Sequence, residues 1–165
     1  MRELLDVKNP PALIRGRRDG ALSIAEIRRY AEDSFSKLPD VKRQTAYGVL
    51  LLWHDHWKEA HESTDDFEGH PDSDLLHAMV HRREGDYGNS EYWLRETGHH
   101  PLFDILGSKV TPLLAGDETL HQKIIPSGKW NARGFVAAVK ANPGDPVLRE
   151  IQAVEFMAYF TWLTS

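Results

Sequence analysis

Apolar positions at helical spacing define the first predicted helix. Ser23 and Glu26 stand three residues apart, as the two partners of a capping box do at the start of a helix. Apolar residues then recur every three or four positions through residues 24–38, until Pro39 interrupts them. The preceding residues 1–20 contain a Pro-Pro pair and two glycines, and they predict an irregular N-terminal arm.

A second and longer helix is predicted over residues 41–63. One apolar stripe continues along it at Ala46, Val49, Leu50, Trp53, Trp57 and Ala60. The polar segment 64–72 contains a glycine and a proline, which predicts a loop. A third helix is then expected from Asp72 or Ser73, with its end near Gly85.

The rest of the chain predicts several short helices. One covers residues 91–97 after a polar break at 86–90, and Gly98 suits its C-terminal cap. Further helices are expected to start at Pro101, Asp117, Asn131 and Asp145-Pro146. No segment alternates apolar and polar residues with a period of two. The predicted fold class is all-α: an arm at 1–20, then a single-domain irregular helical bundle at 21–165 with a central histidine-bearing antiparallel helix hairpin.

The last predicted helix is apolar on nearly every side. It carries eight large apolar side chains between residues 151 and 163. It is too short, and too interrupted by Gln152 and Glu155, to cross a bilayer, so no membrane partner is expected. Two interpretations stay open: a buried central helix, or the subunit interface of a homodimer.

Composition narrows the classes of function. The chain has 165 residues and no cysteine, which excludes disulfides, thiolate zinc sites, iron–sulfur clusters and a cysteine nucleophile. Its net charge of −5 argues against nucleic acid as a partner. The first twenty residues lack the uninterrupted apolar core of a signal peptide, so a cytoplasmic location is expected.

Histidines and carboxylates are concentrated in the middle third of the chain. Eight of the nine histidines lie between residues 54 and 100, a stretch that also holds twelve acidic side chains. On the third predicted helix, His77, His81 and Glu84 are spaced by four and three residues and therefore share one face. The pattern H-x-x-x-H suits a divalent metal, because its two imidazoles lie about one helical turn apart.

The second predicted helix presents a matching face with two more histidines. In an antiparallel hairpin, His61 would lie opposite His77. His54, seven residues before His61, would lie opposite His81 or Glu84. Two such faces could enclose one metal ion between the helices of a bundle. The alternative is a set of core histidines, each satisfied by a hydrogen bond to a neighbouring acceptor.

Charged neighbours extend the candidate site. Arg82 and Arg83 could clamp the carboxylate or phosphate of an anionic ligand, or pair with nearby acids. Glu59 and Glu62 flank His61, and either could accept a hydrogen bond from an imidazole or act as a general base on metal-bound water. Glu59 could equally be a solvated helix charge. Nucleophile-elbow, phosphate-loop and dinucleotide-binding motifs are absent.

The central run H-A-M-V-H-R-R-E-G-D-Y-G-N-S-E-Y-W, from His77 to Trp93, is followed by G-H-H-P at residues 98–101. With Glu59-Ala60-His61 upstream, it resembles a family of small helical bacterial and fungal proteins. The pattern of that family is H-x-x-x-H-R-R-E-x-D-Y-x-N-x-x-Y-W, followed by G-x-H-P. The family has no established activity, so the resemblance implies relatives without implying a reaction.

The resemblance narrows the candidate residues, since His54 lies outside its pattern. It implies that the metal ligands are His61, His77 and His81, with Glu84 and His100 as alternatives. The segment after Gly85 would suit the wall of a pocket with a few polar groups, supplied by Tyr87, Asn89 and Tyr92.

Two functions of different classes follow. The first is a divalent-metal-dependent hydrolase, with Zn²⁺ as the preferred ion and a small, anionic molecule as the substrate. Glu84 or Glu59 would be its catalytic residue, and Arg82 and Arg83 would bind the anion. The second is a non-enzymatic helical binding or interaction module, whose histidines form a buried hydrogen-bond network.

Overall fold

The computed structural model describes residues 4–165, in which nine α-helices and three short 3₁₀ turns occur and no strand is found. The helices are α1 Ile24–Ser34, α2 Asp40–Trp53, α3 Trp57–Glu62, α4 Pro71–Glu84, α5 Tyr87–Thr97, α6 Leu102–Val110, α7 Glu118–Ile124, α8 Ala132–Ala141 and α9 Pro146–Thr164. They pack as one irregular bundle, which confirms the predicted all-α class.

Several helix ends lie where the sequence predicts them. The Ser23 hydroxyl accepts a hydrogen bond from the Glu26 amide, and the Glu26 carboxylate accepts one from the Ser23 amide at 2.8 Å. This is the predicted capping box of α1. The predicted caps Asp117, Asn131 and Asp145 likewise begin α7, α8 and α9.

The prediction of one continuous helix over residues 41–63 is wrong. The helix stops at Trp53 and restarts at Trp57, and between them Asp55 has a φ of 67°, which is uncommon for a residue other than glycine. The buried Asp55 carboxylate accepts a hydrogen bond from Arg83 at 2.8 Å and lies 3.6 Å from the Arg18 guanidinium. These ion pairs stabilise the interruption between α2 and α3, including the unusual backbone conformation of Asp55.

The break moves His54 away from the hairpin, so the predicted pairing of His54 with His81 or Glu84 is also wrong. The His54 ring instead bridges two segments of backbone. Its Nδ1 accepts a hydrogen bond from the Leu22 amide at 3.1 Å, and its Nε2 donates to the Leu4 carbonyl at 2.9 Å.

Two helix starts in the middle third also differ from the prediction. α4 begins at Pro71, directly after His70, whose side chain caps the helix by accepting a hydrogen bond from the Asp72 amide; proline fits the first helical position. α5 begins at Tyr87 and not at residue 91, because the Asp86 side chain caps the Asn89 amide. Gly85 has a φ of 80° and makes the tight turn between the two helices.

The helix α9 supplies much of the core. It packs against α2 and α6 and buries Ile151, Phe156, Tyr159, Phe160 and Leu163. Its other face stays open: Val154, Met157 and Trp162 line an apolar groove of about 730 Å³ together with Val7 and Ile105. A homodimer through this face stays a prediction.

The N-terminal arm is irregular, but its described part packs against the helices. In its described part, residues 4–20, Leu5 and Leu13 are each 1% exposed. Side chains of α9 bind carbonyls of the arm: the buried Gln152 donates to Pro11 at 3.1 Å, and the half-buried Arg149 donates to Pro10 at 3.0 Å. Residues 1–3 of the predicted arm lie outside the described residues.

Within residues 4–165, no helix combines the length and the apolar character that crossing a membrane requires.

We expect Asp55→Ala to lower the free energy of unfolding by about 3–5 kcal/mol, because it leaves Arg83 buried without a counter-charge. Urea denaturation followed by circular dichroism measures the change. The control is Asp40→Ala, which removes the exposed pair with Arg43 and should cost less than about 1 kcal/mol. Equal losses in the two variants would contradict this account of the helix break.

Burial lowers the pKa of His54 from 6.5 to about 4. Between these values the unfolded chain binds a proton that the folded chain does not, so stability must fall as the pH drops from 6.5 to 4. We expect His54→Gln to make this fall smaller by about 2 kcal/mol, measured as the difference between urea unfolding at pH 7 and at pH 4.5. The exposed His99→Gln should leave the fall unchanged, and identical behaviour of the two variants would rule out this contribution.

Candidate metal centre

Three histidines from two neighbouring helices converge on one point. His61 lies on α3, and His77 and His81 lie one turn apart on α4. One ring nitrogen from each lies within 4.8 Å of the other two, and the Nε2 atoms of His61 and His77 are 2.9 Å apart. The predicted register of His61 opposite His77 is therefore confirmed. These three side chains are called the histidine cluster below, and they could hold a metal ion.

Stacking fixes the orientation of the rings in the histidine cluster. The rings of His77 and His81 are nearly parallel, with an interplanar angle of 14° and centroids 4.9 Å apart. His61 meets both of them edge-on. The indole of Trp93, on α5, stacks with His77 at a centroid distance of 3.9 Å. The rings therefore keep their directions before any ligand binds.

The two α4 imidazoles are in the protonation state that metal binding needs. His77 is 4% exposed and His81 is 9% exposed. Burial lowers the pKa of His77 to about 3, with the nearby rings of His61 and His81 adding to the effect. Burial also lowers the pKa of His81, although Glu84 acts in the opposite direction. A neutral imidazole has a free lone pair for a metal, whereas an imidazolium has none.

Two buried nitrogens of the histidine cluster, Nδ1 of His77 and Nδ1 of His81, make no hydrogen bond with any residue from 4 to 165. The Nε2 atom of His77, by contrast, contacts His61. Buried polar atoms are nearly always paired, and each exception calls for an explanation. A network in which neighbouring acceptors satisfy every histidine does not account for these two atoms.

Glu84 supports the histidine cluster from the C-terminal end of α4. One oxygen of its carboxylate lies 3.3 Å from Nδ1 of His81, and the other accepts a hydrogen bond from Arg15 at 2.8 Å. A carboxylate beside the second nitrogen of an imidazole fixes the ring and makes it a stronger ligand. This arrangement suits Glu84 for holding His81.

His100 does not join the histidine cluster, which corrects the wider set of four candidate ligands. Its Nε2 donates to the Asp72 carboxylate at 2.8 Å, and its Nδ1 accepts from the Leu102 amide at 3.1 Å. Both ring nitrogens are therefore occupied. The Asp72 carboxylate also accepts a hydrogen bond from the Trp162 indole, so this buried group joins the start of α4 to α9.

Arg82 and Arg83 do not face an open site. Arg82 forms a two-pronged ion pair with the Glu155 carboxylate on α9. Arg83 is fully buried and is bound by Asp55 and by the Leu52 carbonyl. An anionic ligand could reach either guanidinium only by displacing a buried carboxylate, so the geometry favours the alternative in which both arginines pair with acids.

The other candidates are also separated from the histidine cluster. Glu59 is two residues from His61 on α3 and therefore points to another side of the helix, where it borders a polar cavity with Arg17 and His56. Asn89 binds the Asp86 carboxylate at 2.8 Å and caps α5.

The two tyrosine candidates both belong to α5. Tyr92 is exposed and meets Trp93 edge-on, which places it one residue from the aromatic ring that stacks with His77. Tyr87 is half-buried at the start of the helix and packs against the core.

Two neighbours of the histidine cluster lie outside the predicted set: Trp93 and Arg15. Trp93 is part of the central run, and the tight turn at Gly85 gives the only sequence signal that α5 folds back beside His77. Arg15 belongs to the arm, 69 residues away from Glu84, and no local pattern indicates their contact.

The chain matches no protein-family model, no curated protein sequence and no solved structure. The resemblance to the bacterial and fungal family therefore stays a prediction.

We expect the wild-type chain, purified without an affinity tag, to bind one divalent ion per chain. His77→Ala and His81→Ala should each abolish this binding, because each removes one of three ligands. The exposed His99→Ala should retain the ion. Elemental analysis after dialysis measures the content, and circular dichroism checks that the helices persist. No uptake by the wild-type chain after reconstitution would exclude a metal site.

Proposed function

We propose that this protein is a divalent-metal-dependent hydrolase that acts on a small, anionic molecule. The observation that carries the proposal is the convergence of three imidazoles within 4.8 Å, two of them on buried residues whose pKa values are lowered. Three protein ligands are the number typical of catalytic zinc sites, which leave a fourth position for water or substrate.

Zinc is the ion that the donor set favours. Zinc binds imidazole nitrogen at about 2.0–2.1 Å with tetrahedral geometry, so two of its ligand atoms stand roughly 3.3 Å apart. The His61 and His77 nitrogens are 2.9 Å apart, and the three ligand atoms stay within 4.8 Å of one another. Shifts of about an ångström in the ligand atoms would bring them to this spacing. Carboxylate-preferring ions such as Mg²⁺ fit this set poorly.

The proposed chemistry uses a few residues of the chain in defined roles. A bound zinc ion would lower the pKa of a water molecule bound to it and would act as a Lewis acid on an oxygen of the substrate. Glu84 holds the His81 ring through the 3.3 Å contact. His61 is only half-buried, which gives access from solvent, whereas His77 and His81 are enclosed. This limited opening favours a small substrate.

The competing hypothesis is a binding or interaction module with a structural histidine network. One observation favours it: the His61–His77 contact of 2.9 Å is a hydrogen bond that needs no metal. The Nδ1 atoms of His77 and His81, which are buried without a hydrogen bond, weigh against a network in which every ring nitrogen is satisfied. The two hypotheses predict different effects of replacing one histidine by alanine. A structural network predicts a lower free energy of unfolding with no change in metal content.

The test is hydrolysis by protein that is first stripped with a chelator and then loaded with Zn²⁺ or Co²⁺. We expect 4-nitrophenyl phosphate or 4-nitrophenyl acetate to be hydrolysed above background by the loaded wild-type chain and by His99→Ala. His77→Ala should be inactive, and Glu84→Gln should bind the metal about tenfold more weakly.

Two results would decide against the proposal. Stoichiometric metal without hydrolysis of any ester tested would favour a metal-binding module. No metal, together with a lower free energy of unfolding in His77→Ala, would favour the structural network.

A further inference from the structure

Arg15 crosses from the N-terminal arm to both helices that carry the histidine cluster. Its guanidinium carbon lies 5.8 Å from the centroid of the Trp57 ring, on α3. Its Nη2 atom donates to the Glu84 carboxylate, on α4, at 2.8 Å. An arginine that contacts both helices at once lies at the seam between them.

These two contacts put Arg15 beside the histidine cluster. Trp57 is four residues before His61 and shares its face of α3. Glu84 is three residues after His81, and its second oxygen lies 3.3 Å from the ring of His81. The Glu84 carboxylate therefore links Arg15 to His81, a proposed metal ligand.

Arg15 differs from the other arginines near the hairpin in being open to solvent. Its side chain is 59% exposed, whereas that of Arg83 is 0% exposed and that of Arg82 is 4% exposed. A guanidinium carries five N–H donors. Among residues 4–165, Glu84 is the one hydrogen-bond partner of Arg15, through Nη2. The remaining donors make no hydrogen bond with residues 4–165.

We propose that Arg15 binds the anionic group of the substrate at the metal centre, and that this group is a small oxyanion, carboxylate or phosphate. This inference rests on the proposed hydrolase function. Guanidinium donors match both kinds of oxyanion, and the Trp57 and Glu84 contacts hold the group in place before binding. Arg15 takes the role that the sequence pattern assigns to Arg82 and Arg83.

The surroundings of Arg15 make anion binding depend on the metal. Glu84 and Asp86 place two carboxylates close to His81, and both would repel an incoming anion. A divalent ion in the histidine cluster offsets these two negative charges. Arg15 and an ion held by the histidine cluster would then both attract the oxyanion.

The experiment titrates inorganic phosphate, and separately acetate, into the Co²⁺-loaded full chain and follows the visible absorption of the cobalt. We expect Arg15→Ala to bind the preferred anion about tenfold more weakly than the wild type. Arg15→Lys should be intermediate, since it keeps the charge but loses the planar fork. The matched control is Arg17→Ala, which removes the same charge from an exposed position two residues along the arm.

The outcomes separate this inference from the function on which it rests. Cobalt that does not bind to the wild-type chain overturns the metal centre and this inference together. Cobalt that binds, with anion affinity equal in Arg15→Ala and Arg17→Ala, overturns the role of Arg15 alone. Tighter binding of phosphate identifies the substrate class as phosphate esters, and tighter binding of acetate identifies it as carboxylates.

Discussion

The buried ion pair between Asp55 and Arg83 determines how the other elements meet. Arg83 is fully enclosed, and burial lowers its pKa to about 10, so its charge must be matched inside the protein. The Asp55 carboxylate supplies that match at 2.8 Å, and the carbonyls of Leu52 and Ala12 accept further hydrogen bonds from the same guanidinium. One side chain of α4 thereby fixes α2, the helix break and the arm, because any other arrangement would leave a buried charge or donor unpaired.

This constraint explains the arrangement of α4. Its consecutive residues His81, Arg82 and Arg83 point in three directions, since neighbouring positions on a helix differ by about 100°. Arg82 pairs with Glu155 and anchors α9, Arg83 anchors the break, and His81 turns toward α3. Arg82 and Arg83, whose sequence suggests a ligand clamp, instead orient α4 through their two ion pairs. These ion pairs fix the position of the helix that carries His77 and His81.

Local patterns predict a large part of this structure. The capping box at Ser23, the proline and asparagine helix starts and the His61–His77 register all depend on residues close in sequence, or on one short loop. The helix break could not be predicted, because the apolar stripe runs through it and the partner of Asp55 is 28 residues away. The same reason applies to Arg15, whose contact with Glu84 spans 69 residues. Periodicity reports which face is buried, and it carries no information about which charges meet.

The hydrogen bonds between the arm and α9 have a consequence for how the chain folds. Arg149 and Gln152 bind the carbonyls of Pro10 and Pro11 across about 140 residues of sequence. Contacts of such separation carry a large loop-closure entropy and form slowly compared with local helices. We therefore expect the local helices to form early and the hydrogen bonds between the arm and α9 to form late. The contact between Arg15 and Glu84 spans 69 residues, and we expect it to form at the same late stage.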